Sequence, residues 1–311
     1  MKHFYCLLVF FICFSTAQSQ VDTLVSISTS SAVSQATTED SLPAPKAAGL
    51  NKMPETSAAK NVNTEVYKIN AARDYIWTPV TTAYTLWGFS KIYSREKTPE
   101  ARILALDPND VNKLDRPTTK NHDLKAKDAS DMLFYGSMPL PLIFVFDKEI
   151  RKDALKVGLM YLQTMSTFGV VYTSSAMLAD RFRPYTYNPE VPLSKRTGGG
   201  GRNSFMSGHP GLVASSTFFV AKVFSDYHPE WKNKWILYTL AGGASLTTGI
   251  LRIKAGEHFP TDVMVGIPMG VLSGILIPHM HKNKDFNKQR LTLSPIMNGD
   301  TYGFHATYKL K

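Results

Sequence analysis

Three short stretches of this chain hold residue types that can bind and transfer a tetrahedral oxyanion. They are Arg181-Phe182-Arg183-Pro184, Ser204-Phe205-Met206-Ser207-Gly208-His209-Pro210, and Arg252 followed by Gly256-Glu257-His258-Phe259-Pro260-Thr261-Asp262. Proline is favoured at the first helical position. His209 and His258, just ahead of Pro210 and Pro260, are therefore predicted at helix N-termini, where free backbone N–H groups and the helix dipole attract an anion. Two arginines, two helix N-termini and a serine suit a tetrahedral oxyanion better than a sugar or a nucleobase. Asp262 follows His258 by four residues, close enough to accept a hydrogen bond from one ring nitrogen and leave the other free to attack. That combination is an activated nucleophilic histidine. No metal-ligand spacing stands out. His122, His228, His279 and His281 read as solvated loop histidines, and the glycines at 198–201 as a mobile flap, since no strand precedes them.

These groups can share a pocket only if the elements between them deliver them to the same place. Uncharged stretches over 132–146, 157–179, 210–221, 235–251 and 263–278 read as helices, and 71–94 as a further one that carries Arg73, Asp74 and Pro79. Antiparallel helices joined by short loops alternate their ends, so all three stretches fall at one end of the bundle. The fold class is all-α, a bundle of about six helices that is membrane-embedded. Only 157–179 clearly passes the length test for a spanning helix, although it carries several Ser and Thr. At the C-terminus Tyr302, Phe304, Ala306, Tyr308 and Leu310 alternate with polar or small residues behind Asn298-Gly299-Asp300, which predicts a β-hairpin over 291–311.

Composition sets the wider frame. Of 311 residues 43% are hydrophobic and 19% charged, which excludes a wholly disordered chain. The net charge of +10 favours an anionic partner without choosing among nucleic acid, phospholipid and a phosphorylated substrate. Lys2 and His3, an apolar run over 4–14 and Ala17-Gln18-Ser19 read as a signal peptide over 1–19. An uncleaved anchor is the competing reading. Both cysteines, Cys6 and Cys13, lie in that run, so cleavage leaves no disulfide or thiolate metal site. Residues 20–65 are rich in Ser, Thr, Ala and Pro and read as a disordered linker. The helical domain is expected over 66–290.

Taken together, Arg183-Pro184, Ser207-Gly208-His209, and Arg252 with His258 and Asp262 resemble the three-part signature of the type 2 phosphatidic acid phosphatase superfamily. That superfamily also includes bacterial acid phosphatases and vanadium haloperoxidases. The likeness covers 155–278, and its third part is the most specific: arginine, five residues, histidine, three residues, aspartate, then Gly266. The resemblance implies metal-independent phosphate ester or anhydride hydrolysis through a phosphohistidine, with no cofactor and with vanadate as an inhibitor. It makes His258 the nucleophile, Asp262 its orienting partner and His209 the group that protonates the leaving oxygen. Arg183, Arg252, Ser207 and the Gly208 backbone N–H would hold the phosphate oxygens. Two positions depart from the pattern: Ala176 stands where the family has a lysine, and Met206 where the second motif usually opens with proline. Arg181, Lys195, Arg196, Arg202 and Lys254 are candidate substitutes for that lysine, Arg181 first.

The expected function is hydrolysis of a lipid phosphate monoester or diphosphate of the phosphatidate, polyprenyl diphosphate or lipid A type. The expected place is a bacterial-type cell envelope, with a periplasm-facing site in the membrane or in the periplasm. A soluble exported acid phosphatase acting on small phosphate esters and a catalytically weakened anion-binding or structural envelope protein are the alternatives. No nucleic-acid partner is expected. With the signal removed, an external site requires two spans before Arg183, at 132–146 and 157–179, while 71–94 packs without crossing.

Overall fold

The computed structural model of the protein describes residues 65–283 and the backbone of 291–298 and 301–308. The signal segment and all but the last residue of the linker lie outside the described residues. Eight α-helices occur among the described residues. The six long ones are α1 (Ala71–Tyr93), α2 (Leu124–Ser137), α3 (Ala154–Ala179), α4 (Gly208–Tyr227), α5 (Lys234–Lys254) and α6 (Pro260–His281). The other two, Glu100–Leu104 and Leu193–Arg196, are short turns in the loops. Strands β1 (Leu291–Asn298) and β2 (Thr301–Tyr308) run antiparallel, with Leu291 opposite Tyr308.

Local chemistry sets the helix ends. Asn70 caps α1 by accepting from the Arg73 N–H, and Asp123 caps α2 by accepting from the Ala126 N–H. Asp180 ends α3 in the left-handed conformation, and Gly256, at φ +69°, turns the chain out of α5. Pro260 opens α6, where the Asp262 carboxylate accepts from the Phe259 N–H at 2.8 Å.

The helices alternate in direction. Asp123 N–H donates to the Lys254 carbonyl and Asn121 Nδ2 to that of Ile253, so α2 begins where α5 ends. At the other end Tyr67 pairs with Lys282, and Lys68 N–H donates to the His281 carbonyl, so α1 begins where α6 ends. The motif loops share the first end, and residues 66 and 282 share the second.

Helix α1 does not lie aside on the surface. It runs parallel to α3 over its whole length, about 35 Å at 1.5 Å per residue. The seam is made of small residues and hydroxyls. Gln163 Nε2 donates to Thr78 Oγ1 at 2.9 Å, Thr81 Oγ1 meets Ser166 Oγ at 2.8 Å, and Thr85 Oγ1 donates to the Ser166 carbonyl at 2.9 Å. A Cβ at Gly169 would fall 2.3 Å from Thr85 Cγ2, so only glycine permits this approach. The Ser and Thr of α3 are thus interhelical partners of the kind found inside membrane bundles.

Among the described residues three helices are long and apolar enough to cross a membrane: Leu124–Phe146, Lys234–Lys254 and Pro260–His281. Helix α3, the span favoured by sequence, is not among them. It is the central helix, with Met160, Phe168, Tyr172 and Ala176 buried, and its apolar run reflects burial within the protein. Large apolar side chains face outward on its neighbours instead. Ile76, Val80 and Trp87 do so on α1, Leu240, Leu246 and Ile250 on α5, and Met264, Leu272 and Met280 on α6.

Two of the remaining histidines also depart from the solvated-loop reading. His281 is buried between Arg73 and Asp74, with Nε2 3.1 Å from Asp74 Oδ2, and His228 Nε2 lies 2.7 Å from Asp147 Oδ2.

Candidate active site

The loops before α4 and α6, the end of α5 and the segment after α3 converge at one end of the bundle. His258 is almost fully buried, and its Nδ1 lies 2.7 Å from the Ser204 carbonyl. A carbonyl can only accept, so Nδ1 carries the hydrogen and Nε2 keeps its lone pair. The sequence reading gave this role to Asp262, whose Oδ2 stands 3.8 Å from Nδ1, beyond hydrogen-bond reach. Asp262 acts one step back. It accepts from Ser204 Oγ at 2.6 Å and from the Phe259 N–H, and its own carbonyl accepts from the Ser207 N–H at 3.1 Å. It thereby holds the loop that carries the true acceptor.

Burial is the largest influence on His258 and, with the charges of Arg183 and Arg252, it holds the imidazole below its usual pKa. The ring is neutral near pH 7 and able to attack. Glu257 is the unforeseen neighbour. It is buried and ion-paired with Arg183. Burial alone would raise its carboxyl, but Arg183 and Arg252 outweigh that and hold it at about 2. Burial works against the Arg183 charge in turn, and Glu257 beside it more than restores it.

Several donors of this pocket make no hydrogen bond, although Arg252 Nη1 is ion-paired with Asp131. Arg183 Nε, Arg252 Nε and Nη1 and Ser207 Oγ are all sealed from solvent without a hydrogen bond. Unmade hydrogen bonds from buried donors are costly. Four from the three motifs, gathered around a neutral imidazole, describe a cradle for an anion. Gly208 opens α4 beside them, and its missing Cβ would lie 2.8 Å from the Tyr172 ring. A Cβ on Gly266 would meet the Ser207 carbonyl at 2.3 Å, so α6 can approach this loop only through glycine. His209 packs against Phe134 with the rings tilted by 44° and 4.4 Å between centres, and its Nε2 lies 3.3 Å from Asp131 Oδ1.

The candidate substitutes for the absent lysine fare differently. Arg181 is taken up by carboxylates: Nη1 lies 2.5 Å from Asp262 Oδ1 and Nη2 2.6 Å from Asp115 Oδ2, with the guanidinium over the Phe259 ring. It is a brace behind the site, not a phosphate ligand. Arg196 donates to the Thr186 carbonyl, Arg202 pairs with Asp180, and Lys254 is exposed. Lys195 lies over the Tyr185 ring, with Glu257, Lys127 and Arg183 as its charged neighbours. Ala176 is buried in one cluster with Ile92, Phe168, Tyr172 and Met206. Its carbonyl accepts from Arg95 Nη2 at 2.9 Å, and Arg95 Nη1 is itself paired with Asp180. The glycine run is not a free flap either. The Gly201 carbonyl accepts from the Arg183 N–H at 2.7 Å, and Gly199 abuts the Arg95 backbone.

Sequence reasoning missed Arg95, Asp115, Asp131, Ser204 and the role of Glu257. Glu257 was within reach, since it adjoins His258. Asp115 and Asp131 lie far upstream in a charged connector and a helix with no motif of their own. Among the described residues no group of His, Cys, Asp or Glu could hold a metal ion.

An all-α bundle that presents two histidines, two arginines and helix N-termini at one end defines a class. Residues 157–286 match the model of the PAP2 superfamily. It is 29% identical over 136 residues to a lipid A 4'-phosphatase of Porphyromonas gingivalis, across 43% of this chain and 54% of that protein. A second relative is phosphatidylglycerophosphatase B of Bacillus subtilis, 36% identical over 76 residues, across 24% of this chain and 37% of that one. The chain thus spans about half the length of the first and just over a third of the second. A crystal structure of a transmembrane PAP2-type phosphatidylglycerolphosphate phosphatase from Bacillus subtilis aligns at 20% identity and a TM-score of 0.42, over 65% of this chain and 94% of that one.

Proposed function

We propose that the protein is a membrane-embedded, metal-independent phosphatase that hydrolyses a lipid phosphate monoester or diphosphate through a phosphohistidine. The observation that carries this reading is the set of buried donors without a hydrogen bond or ion pair, Arg183 Nε, Arg252 Nε and Ser207 Oγ, around the neutral His258. His258 Nε2 attacks phosphorus, the bond to the leaving oxygen breaks, and that oxygen takes a proton from His209. Water then attacks the phosphohistidine, giving its proton to His209 as the N–P bond breaks. Phosphate leaves and both histidines return to their starting states. Arg183, Arg252, Ser207 and the Gly208 N–H meet the charge that grows on the phosphate oxygens in each step.

A lipid substrate is favoured over a small soluble ester by the outward-facing apolar side chains of α1, α5 and α6 and by the hydroxyl seam between α1 and α3. The names of the two sequence relatives, which act on lipid A and on phosphatidylglycerophosphate, point the same way. The basic residues at and beyond Lys282 suit a cytoplasmic end, which supports a site on the outer face. The test is phosphate release from lipid phosphates by the detergent-purified protein in EDTA, with trapping of the phosphoenzyme. We expect vanadate-sensitive release and a phosphohistidine that is absent in His258→Ala. Activity in that variant, or activity that needs added divalent ions, would overturn the mechanism.

A further inference from the structure

We infer that Asp131, on α2, is a positioning residue for His209. This rests on the phosphatase reading above and concerns a residue outside the segment that matches the superfamily. Asp131 Oδ1 is sealed from solvent, makes no full hydrogen bond, and stands 3.3 Å from His209 Nε2 and 3.1 Å from Arg252 Nη1. One turn further along the same helix, Phe134 packs on the His209 ring. Helix α2 therefore touches the imidazole twice, with a carboxylate beside one nitrogen and an aromatic ring packed against it.

The helix that carries this clamp is anchored at both ends. At its start Asn121 and Asp123 bond to the carbonyls that end α5. At its finish Ser216 Oγ donates to the Ser137 carbonyl at 2.6 Å, and Tyr161 OH to that of Met138 at 2.8 Å. A carboxylate held on such a frame fixes which ring nitrogen it takes. With Asp131 beside Nε2, Nδ1 is the nitrogen left to face the leaving oxygen and give it a proton. The carboxylate also favours the charged form of the ring, the form from which the leaving oxygen takes its proton. Asp131 remains ionised throughout and does not itself move a proton.

The contact with Arg252 offers a rival role, in which Asp131 only holds a phosphate-binding arginine. Leaving-group chemistry separates the two. An alkyl alkoxide needs a proton to depart, whereas 4-nitrophenolate does not. The experiment compares kcat/KM of wild type, Asp131→Asn, His209→Ala and the double variant on an alkyl phosphate and on 4-nitrophenyl phosphate. This parameter reports steps up to leaving-group departure, and the ratio of two esters in one preparation cancels any difference in folded fraction. We expect Asp131→Asn to lose on the order of 100-fold on the alkyl ester, the low end of what general acids contribute. The loss on the nitrophenyl ester should be at least tenfold smaller, and the substitution should add nothing in the His209→Ala background. Equal losses on both esters, or additive losses in the double variant, would overturn the inference in favour of the Arg252 role. A wild type that hydrolyses neither ester would overturn the phosphatase reading and this inference with it.

Discussion

His258 owes its readiness to its surroundings. Burial and two guanidinium groups disfavour the imidazolium, so the ring's pKa lies below the ordinary value of about 6.5. A histidine with a lowered pKa stays neutral as pH falls through that value and protonates only further down. Histidine-selective nitrogen NMR of the detergent-solubilised protein should show one ring still neutral where free imidazole is mostly charged. Its resonance should be missing in His258→Ala, and a titration at or above the ordinary value would contradict the electrostatics. Ala176 supplies a second test. Sequence comparison alone suggests that restoring a lysine there would strengthen the phosphate site. The side chain is instead walled in by Phe168, Tyr172 and Met206, with Arg95 bonded to the carbonyl. Ala176→Lys should overpack the cluster, cost about 1–3 kcal/mol, lower the melting temperature and leave turnover no higher. Raised turnover at an unchanged melting temperature would show that the lysine reaches the pocket.

At the scale of elements, the site depends on how the start of α6 is tied to the connector before α2. Asp115 accepts from Thr261 Oγ1 at 2.6 Å and from the Thr261 N–H, and shares Arg181 with Asp262. Burial raises the Asp115 carboxyl, but the bonds from Thr261, Asn112 and Arg181 outweigh it and keep it ionised. Two buried carboxylates held by one guanidinium are vulnerable to its loss. Arg181→Ala should cost on the order of 3 kcal/mol. It should also lower kcat more than it raises KM, since Asp262 and Ser204 then position His258 less well while Arg183 and Arg252 are untouched. Thermal unfolding and steady-state kinetics of one preparation test both. A selective rise in KM would instead place Arg181 among the phosphate ligands.

For the whole molecule, the alternation of six helices separates the site from residues 66 and 282. Helix α1 matches α3 in length and direction, so a bilayer crossed by α3 is crossed by α1 too. An N-terminal segment exported by signal cleavage near Ser19 and a site on the outer face then exclude each other, because one crossing lies between residue 66 and Arg95. The two-span count, in which 71–94 packs without crossing, therefore requires that α1 stay out of a bilayer that α3 crosses. Single cysteines in a Cys6→Ser, Cys13→Ser background, at Gly200 beside the site and at Lys152 at the other end, should react with an impermeant thiol reagent from opposite sides. Gly200 should be the one labelled from outside in intact cells. Labelling of both from one side would end the six-crossing arrangement.

The groups proposed as catalytic could be picked out in the sequence because their chemistry is local. A histidine ahead of a helix-opening proline sits at an N-terminus wherever the helix goes, and arginine, histidine and aspartate spaced across one helix end must share a neighbourhood. The all-α class was equally legible, since long uncharged runs broken by polar loops admit few other solutions. What tertiary structure decided depends on neighbours that are distant in sequence. The Ser204 carbonyl, not Asp262, accepts the hydrogen bond from His258 Nδ1, Arg181 braces a carboxylate, and Asp131 reaches His209 across 78 positions of chain. The direction of α1 was likewise invisible in its composition. Arg73, Asp74 and Pro79 suggest a surface helix until Asp74 is seen paired with His281 and the glycines and threonines of the seam are seen meshed with α3. Charge and polarity in a sequence show what a side chain must satisfy, and only the fold shows whether water or another helix does so.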